Sequence, residues 1–286
     1  MSAEDCFKNI LVPVDSSTSC LYAKQLAVLI AKNFYSRVKV VHVVSHDFMH
    51  PELKAHHNLP PLVLSELDKV YMESGKKILR QAEGLFMHEG ISVESELIKA
   101  EDPAETILQM SSKEPCSLVI IGNRAKTQSK RYELGSVTEK VSLYSSCPVL
   151  ITKGKMDIRH LLVAVDGSKQ AITAVDYAVE LAKRFKARIT LLHVEEAGIF
   201  KLKPDLAKRV GEEILLEAES RLNGVTFVKK MKTGTPSEII LKMAWLGDYD
   251  LIVMGSRGIS SVKRFLLGSV SADVTMHSRR SVLLIK

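Results

Sequence analysis

The stretch Asp250-Leu251-Ile252-Val253-Met254-Gly255-Ser256-Arg257-Gly258 decides the fold of this chain, together with Gly268-Ser269, which follows after nine further residues. Its apolar half, bounded by glycine, predicts a buried strand. Glycines directly after a strand allow backbone N–H groups to approach an anion, because no Cβ stands in the way. A helix predicted from Gly268 to about Met276 would direct its positive N-terminus at the same anion. The spacing G-x2-G-x9-G-S therefore predicts a phosphate-binding loop.

The same pattern occurs earlier in the chain, where Leu118-Val119-Ile120-Ile121 runs into Gly122-Asn123-Arg124-Ala125 and, nine residues later, into Gly135-Ser136. The second glycine position of this loop holds Ala125. Other landmarks repeat as well: Val12-Pro13-Val14-Asp15 matches Val163-Ala164-Val165-Asp166 at an offset of 151 residues, and the two loops match at an offset of 133. A single insertion of 18 residues in the first copy explains the change. The sequence therefore predicts two tandem copies of one domain, over residues 1–154 and 155–286.

Each copy alternates short apolar segments with amphipathic ones. Strands are predicted near Ile10, Val40, Val93, Val119 and Val149 in the first copy, and over residues 159–165, 188–194, 225–231, 250–254 and 281–285 in the second. Apolar strands that alternate with helices are typical of a parallel sheet covered on both faces. We therefore expect an α/β fold in which a five-stranded, Rossmann-like α/β/α domain occurs twice. Ligands of such sheets bind beyond the carboxyl ends of the strands, where Asp15, Asp166 and both glycine loops fall.

Composition agrees with two ordinary globular domains. The chain has 286 residues, of which 46% are hydrophobic, and this is enough for two real cores. No apolar run approaches the ~18 residues that a membrane-spanning helix needs, and the acidic N-terminus lacks the apolar segment of a signal peptide. The four cysteines, Cys6, Cys20, Cys116 and Cys147, form no C-x-x-C pair. We therefore expect no membrane insertion, no disulfide framework and a cytoplasmic location.

The charge is divided unevenly between the copies. The first copy has 18 basic and 18 acidic residues, and the second has 22 basic and 15 acidic, so the second carries the whole formal charge of +7. A basic domain favours an anionic partner. The basic residues are scattered, and aromatic residues make up only 6% of the chain. This pattern argues against a nucleic-acid partner, and a solvated surface is the simpler interpretation of the charge.

The insertion in the first copy contains His46, His50, His56 and His57. Histidine is a common ligand of transition metals, but this spacing matches no known zinc motif. We expect a loop or lid over the site, and leave open whether it binds metal. The amphipathic segment from Leu62 to His88 predicts a long helix that packs on the sheet or on a partner subunit. Trp245 lies among apolar neighbours on another predicted helix, which indicates a core position.

The strand-end aspartates and the G-x2-G-x9-G-S loop together resemble the universal stress protein family, in its tandem two-domain form. The resemblance covers essentially the whole chain. It implies a five-stranded parallel sheet of order 3-2-1-4-5 in each copy. It also implies an adenine nucleotide, ATP or AMP, bound between strands one and four with Mg²⁺ or Mn²⁺ as a candidate counter-ion, and a role in stress-related regulation.

The resemblance assigns a set of binding residues to each copy. In the second copy, Asp166 would anchor adenine, ribose or metal, and Val194 would contact adenine through its backbone. The full second-copy set is Ala164, Val165, Asp166, Val194, Met254, Gly255, Arg257, Gly258, Gly268, Ser269, Val270 and Ser271. The less certain first-copy set is Pro13, Val14, Asp15, Val43, Ile121, Gly122, Arg124, Gly135, Ser136, Val137 and Thr138.

Each of these features also has a purely structural interpretation. Ser269 is a candidate helix N-cap, Asp166 a candidate turn residue, and Gly255 and Gly258 candidates for a tight turn. Ala125 would add about 1 kcal/mol or more of strain if its position required a positive φ. If the position requires only room, its methyl group would narrow the space for a phosphate.

Two classes of function remain open on the sequence alone. The first is a nucleotide-binding regulatory protein that works mainly through its second copy. The second is a slow ATPase or self-phosphorylating enzyme, although no general base stands beside a nucleophile. A nucleotide-free interaction scaffold is a weaker third. The family also implies two-fold assembly, so we expect an internal pseudo-dimer that pairs Val149–Ile151 with Leu283–Ile285, a candidate homodimer, and an unidentified regulatory protein partner.

Overall fold

The computed structural model describes residues 6–45, 61–113, 115–123, 134–154, 157–196, 204–258 and 267–286. The insertion from His46 to His57 lies outside these ranges. In the described part of the first copy the elements are β1 (Asn9–Pro13), α1 (Thr18–Phe34), β2 (Arg37–Val44), α2 (Pro61–His88), β3 (Val93–Lys99), α3 (Pro103–Lys113), β4 (Leu118–Gly122), α4 (Ser136–Tyr144) and β5 (Val149–Thr152).

The described part of the second copy repeats this order of elements. They are β6 (His160–Val165), α5 (Lys169–Phe185), β7 (Arg188–Glu195), α6 (Pro204–Glu219), β8 (Thr226–Thr233), α7 (Pro236–Leu246), β9 (Leu251–Gly255), α8 (Ser269–His277) and β10 (Ser281–Ile285). The predicted strands and helices are therefore present, with ends that differ by a few residues.

The ten strands of the described residues form one sheet of order β3-β2-β1-β4-β5-β10-β9-β6-β7-β8. Within each copy the strands are parallel and follow the order 3-2-1-4-5, as predicted. One hydrophobic cluster packs on each face of the sheet and runs through both copies. Because both faces are covered, the central strands are apolar throughout, as in Leu118–Ile121 and Leu251–Met254.

The two copies meet through their last strands. β5 and β10 pair antiparallel, with Leu150 opposite Leu283. These two leucines are equivalent at the offset of 133 residues, so a local pseudo-two-fold axis passes between them. The expected pairing of the fifth strands is confirmed, although Val149–Ile151 pairs with Val282–Leu284, one residue earlier than predicted.

The residue after each last strand anchors the other copy. Lys153 donates from Nζ to the carbonyl oxygen of Thr275 (2.7 Å), near the end of α8. Its equivalent Lys286 donates to the carbonyl oxygen of Ser142 on α4, and Ser142 is itself equivalent to Thr275. A cation near the last carbonyls of a helix is favourable. The junction is therefore stabilised on both sides of the pseudo-two-fold axis.

Two further expectations have clear outcomes. Helix α2 packs on the sheet of its own copy, since Leu79, Ala82 and Phe86 are buried in the core. The core position predicted for Trp245 is wrong: the side chain is 54% exposed, and the guanidinium carbon of Arg279 lies 3.8 Å from its ring centroid. Among the described residues, no helix has the length and apolar character needed to cross a membrane.

Candidate functional site

A turn built by aspartate follows the first strand of each copy. Asp15 accepts a hydrogen bond at Oδ1 from the backbone N–H of Ser17 (2.8 Å), and Asp166 accepts one from Ser168 (3.0 Å). Each serine then caps the next helix through its hydroxyl group. The turn role that the sequence left open is therefore real. It also holds the carboxylate in a fixed position at the carboxyl edge of the sheet.

Gly258 lies directly against one of these carboxylates. A Cβ atom at this position would come within 2.5 Å of Oδ2 of Asp166, which is closer than any real contact. Gly258 is not among the glycines with positive φ. Lack of space, and not backbone conformation, is therefore what requires glycine here. The equivalent Ala125 and its neighbour Arg124 lie outside the described residues.

The first glycine of each loop has a different neighbour. A Cβ on Gly122 would lie 2.8 Å from the backbone carbonyl carbon of Ser19, and one on Gly255 would lie 2.9 Å from Cβ of Gln170. Both glycines thus let the fourth strand of their copy pack closely against the start of α1 or α5. They position the strand end that precedes the loop.

The last helix of each copy starts beside its loop. The N-caps are Gly135 and Gly268, neither of which has a side chain to cap the helix, so the alternative in which Ser269 caps α8 is wrong. Ser136 and Ser269 are instead the first helical residues, and both are exposed. The first N–H groups of a helix have no partner within the helix. Two helix starts with the right polarity for an anion therefore face this edge of the sheet.

Two buried hydroxyl groups hold these helix starts against the loops. Ser271 donates from Oγ to the carbonyl oxygen of Ser256 (2.7 Å), which also accepts from the N–H of Gly268 (2.8 Å). In the first copy, Thr138 donates from Oγ1 to the carbonyl oxygen of Gly122 (2.7 Å). Ser271 and Thr138 thus act within the protein, as positioning residues for the loop.

In the first copy the predicted residues surround one cavity of about 360 Å³. Ligand sites commonly have volumes of ~300–1,000 Å³. Every described member of the first-copy set lines it: Pro13, Val14, Asp15, Val43, Ile121, Gly122, Gly135, Ser136, Val137 and Thr138. Cys20 lies there too, and burial together with the Asp15 carboxylate raises the pKa of its thiol to about 11. This thiol therefore stays protonated near neutral pH and offers no nucleophile.

Sequence reasoning missed several residues of this cavity. Tyr71, Ser74 and Ile78 of α2 line its wall. Their spacing of three and four residues places them on one face of the helix. That periodic pattern was a usable signal, because polar side chains on the sheet-facing side of an amphipathic helix need a reason to be there.

A histidine supports the strand end in each copy, partly buried in the first copy and buried in the second, and the sequence reasoning gave it no role. Nδ1 of His42 lies 2.6 Å from the carbonyl oxygen of Val14, and Nδ1 of His193 lies 2.9 Å from that of Val165. Since a carbonyl oxygen only accepts, Nδ1 must carry the proton. The bond ties the second strand of each copy to the residue just before the aspartate. The repeat of the two histidines at the offset of 151 was the signal for this role.

In the second copy, the predicted apolar residues form a wall equivalent to part of the first-copy cavity: Ala164, Val194 and Val270 correspond to Pro13, Val43 and Val137. Ala164, Val194 and Val270 are partly buried against the core and so keep some surface accessible. Met254 is buried in the same cluster, whereas Val165 is buried in the cluster on the other face of the sheet. The positive charge near the loop comes from Arg257 and from Lys286, whose pKa is lowered to about 8 by burial and by the like charge of Arg257.

This chain is similar to several universal stress proteins. A universal stress protein of Methanocaldococcus jannaschii is 29% identical over 53% of this chain and 85% of its own length. The solved structure of a universal stress protein from Archaeoglobus fulgidus is 25% identical, covers 100% of this chain and 99% of its own, and has a TM-score of 0.72. A further universal stress protein, solved in complex with cAMP, is 27% identical over 45% of this chain and 97% of its own, with a TM-score of 0.38.

The family assignment covers both copies. The model of the universal stress protein family matches residues 7–153 and again residues 157–286. The chain therefore belongs to the universal stress protein family, with two family domains in tandem.

Proposed function

We propose that this chain is a stress-response regulatory protein that binds an adenine nucleotide, ATP or AMP, mainly in its second copy. One observation carries the proposal. A strand-end carboxylate, a glycine loop and the start of a helix without a side-chain cap meet at a single edge of the sheet. A nucleotide needs partners for ribose hydroxyls, phosphates and a planar base, and these three features together with the adjacent apolar wall offer all of them.

Each part of the nucleotide would find a matching group in the second copy. The phosphates would lie at the N-terminus of α8, where the backbone of Gly268 and Ser269 and the charge of Arg257 favour an anion. Asp166 would accept hydrogen bonds from the ribose. Ala164, Val194 and Val270 would contact the base, since their partly buried side chains form an apolar surface. Gly255 and Ser271 would act indirectly, by holding the loop in place.

A bound nucleotide would bring a divalent cation, Mg²⁺ or Mn²⁺, which neutralises phosphate charge. Within the described ranges, no three His, Cys, Asp or Glu side chains cluster as a metal site would require. Phosphate oxygens would supply ligands to this cation, and Asp166 is the carboxylate that fits beside them.

The first copy is proposed as a second and weaker site. Its cavity has the volume and the polar and apolar lining that a nucleotide needs. It differs at Ala125, where the second copy has the glycine that lies against Asp166. A methyl group at this position would reduce the space beside the carboxylate. We therefore rank the second copy first.

The small molecules that copurify with the full chain test this proposal directly. The protein would be denatured and the released molecules identified by mass spectrometry. We expect ATP or AMP at a nearly equimolar level, lost in Asp166→Ala and retained in Asp15→Ala and in the exposed control Asp205→Ala. A protein that releases no nucleotide and shows no thermal shift with millimolar Mg-ATP would refute the proposal. Time-dependent formation of ADP that Asp166→Ala abolishes would favour the enzyme instead.

The remaining parts of the proposal concern the setting of the protein. We place it in the cytoplasm, with the domain boundary at residue 154. Its partners would be a regulatory protein that senses nucleotide occupancy and a second copy of the chain. Sedimentation with and without Mg-ATP would measure the oligomeric state, and a monomer under both conditions would remove the homodimer.

A further inference from the structure

Two cysteines that belong to neither set of candidate nucleotide residues lie side by side at the amino edge of the first-copy strands. Cys116 precedes β4 and Cys147 precedes β5, and their Sγ atoms are 3.3 Å apart. Cys147 is buried, whereas Cys116 is partly exposed and lines an open cavity of about 820 Å³. A small solute in this cavity can therefore reach Cys116, whose sulfur contacts that of Cys147.

The second copy shows that this part of the fold does not need the thiols. Tyr249 and Arg280 occupy the positions equivalent to Cys116 and Cys147. The serine two residues earlier makes the same turn in both copies: Ser145 donates to the carbonyl oxygen of Cys147 and Ser278 to that of Arg280, both at 2.8 Å. The turn thus forms equally well without cysteine, so packing alone does not explain the thiol pair.

The surroundings of the pair shift the pKa values of its two thiols in opposite directions. Once Cys147 has lost its proton, the S–H of Cys116 donates to its Sγ, and this bond, helped by the Ser145 hydroxyl group and the Lys286 ammonium group, lowers the pKa of Cys147. The pKa of Cys116 is raised, because it is the donor and because it is largely buried. Cys147 therefore forms a thiolate more easily than Cys116, and Cys116 lies close enough to form a bond with it.

We propose that Cys116 and Cys147 form a redox site that reacts with a peroxide and closes to an intramolecular disulfide. The Cys147 thiolate attacks one peroxide oxygen, the O–O bond breaks, and Cys147 becomes a sulfenic acid while hydroxide leaves. Sγ of Cys116 then attacks the sulfenyl sulfur, the S–S bond forms and the S–O bond breaks. The sulfenyl oxygen leaves with the remaining thiol proton as a second water molecule. Overall two thiols and one hydrogen peroxide give one disulfide and two waters.

The closing step needs only a small movement. A disulfide bond is about 2.05 Å long, so the sulfurs must approach by about 1.2 Å from their separation of 3.3 Å. A dithiol reductant would attack the disulfide and restore both thiols. The site therefore gives this chain a reversible response to peroxide that uses none of the residues assigned to the nucleotide.

Peptide mapping of the full chain tests the site. The protein is treated with equimolar hydrogen peroxide, free thiols are alkylated without reduction, and the digest is analysed by mass spectrometry. We expect a peptide pair joined through Cys116 and Cys147 that has lost two hydrogen atoms and separates after dithiol treatment. Cys6→Ser and Cys20→Ser should retain this link, and Cys116→Ser or Cys147→Ser should lose it.

Several results would overturn the proposal. Both Cys116 and Cys147 remaining open to alkylation after peroxide treatment of the wild-type chain would do so. So would a link that joins Cys6 or Cys20 instead, or that joins two chains. Because the wild-type protein alone decides these outcomes, a variant that fails to fold does not affect the test.

Discussion

Replacing Gly258 with alanine would force the candidate loop away from its carboxylate. The added Cβ would lie 2.5 Å from Oδ2 of Asp166, whereas ordinary contacts of a Cβ begin near 3.4 Å, so the two groups must separate by about 0.9 Å. The Asp166 carboxylate cannot rotate freely, because its Oδ1 accepts the N–H of Ser168 at 3.0 Å. Overpacking of this kind costs about 1–3 kcal/mol. We expect Gly258→Ala to lower the stability of the fold by this amount.

A double-mutant cycle isolates the contact. In an Asp166→Ala background the atom that clashes is absent, so Gly258→Ala should cost less than about 0.5 kcal/mol there. Urea denaturation followed by circular dichroism measures the four unfolding free energies. Gly84→Ala is the matched control, since a Cβ at Gly84 meets nothing within 4 Å. An undiminished cost in the Asp166→Ala background would show that the carboxylate is not what requires glycine.

The same variant also tests the ranking of the two copies. Because the separated loop and carboxylate no longer face one ligand, Gly258→Ala should weaken ATP binding by at least tenfold, which corresponds to about 1.4 kcal/mol. Ala125→Gly should change it much less. Isothermal titration calorimetry on the full chain measures both. Equal and opposite effects of the two substitutions would mean that the first copy is the main site.

Three further perturbations follow from contacts in the structure. In α2, Gly75→Ala would place a Cβ 2.7 Å from Cδ1 of Leu97 and 2.9 Å from Cδ2 of His42, so it should destabilise the fold by about 1–3 kcal/mol. Gly84→Ala in the same helix should stabilise the fold by about 0.5–1 kcal/mol. Equal urea midpoints for the two variants would contradict this prediction. Lys153→Met removes the bond to Thr275 and should cost about 1 kcal/mol, against no change for the exposed Lys77→Met. The pKa of Lys286 is about 8 in the folded chain against an ordinary 10.5. Between these two pH values the unfolded chain holds more protons, so the stability of the fold should rise with pH. Lys286→Met should lack the part of this rise that Lys286 contributes, and identical profiles of stability against pH for the two proteins would refute the prediction.

The fold was predictable because its signals are local and repeated. Apolar runs such as Leu251–Met254 are short, bounded by glycine, and occur at matching positions in both copies. The duplication also fixed the alignment of the elements, since a landmark unclear in one copy was clear in the other. The pairing of β5 with β10 was expected from the two-fold assembly that the family implies, and its antiparallel direction agrees with a two-fold relation between equivalent edges.

The reasons for individual residues were harder to predict, because they depend on contacts between distant parts of the chain. Gly255 and Gly258 look alike in the sequence, yet one lets a strand approach α5 and the other makes room for Asp166. Apolar neighbours in the sequence indicated a core position for Trp245, but its ring lies on the helix surface against Arg279. The pairing of Cys116 with Cys147 was equally invisible, since 30 residues separate them in the sequence.

The junction between the copies bears on how the two candidate sites relate to each other. Helix α8 begins at the loop of the second copy and ends where Lys153, from the first copy, binds its carbonyl groups. Helix α4 begins at the first-copy cavity and carries the carbonyl group that Lys286, from the second copy, binds. Each helix thus connects one candidate site to the other copy through a charged hydrogen bond. A ligand that shifts the start of either helix therefore acts on an element whose other end is held by the opposite copy. The junction is the place to measure whether nucleotide binding in one copy affects the other copy.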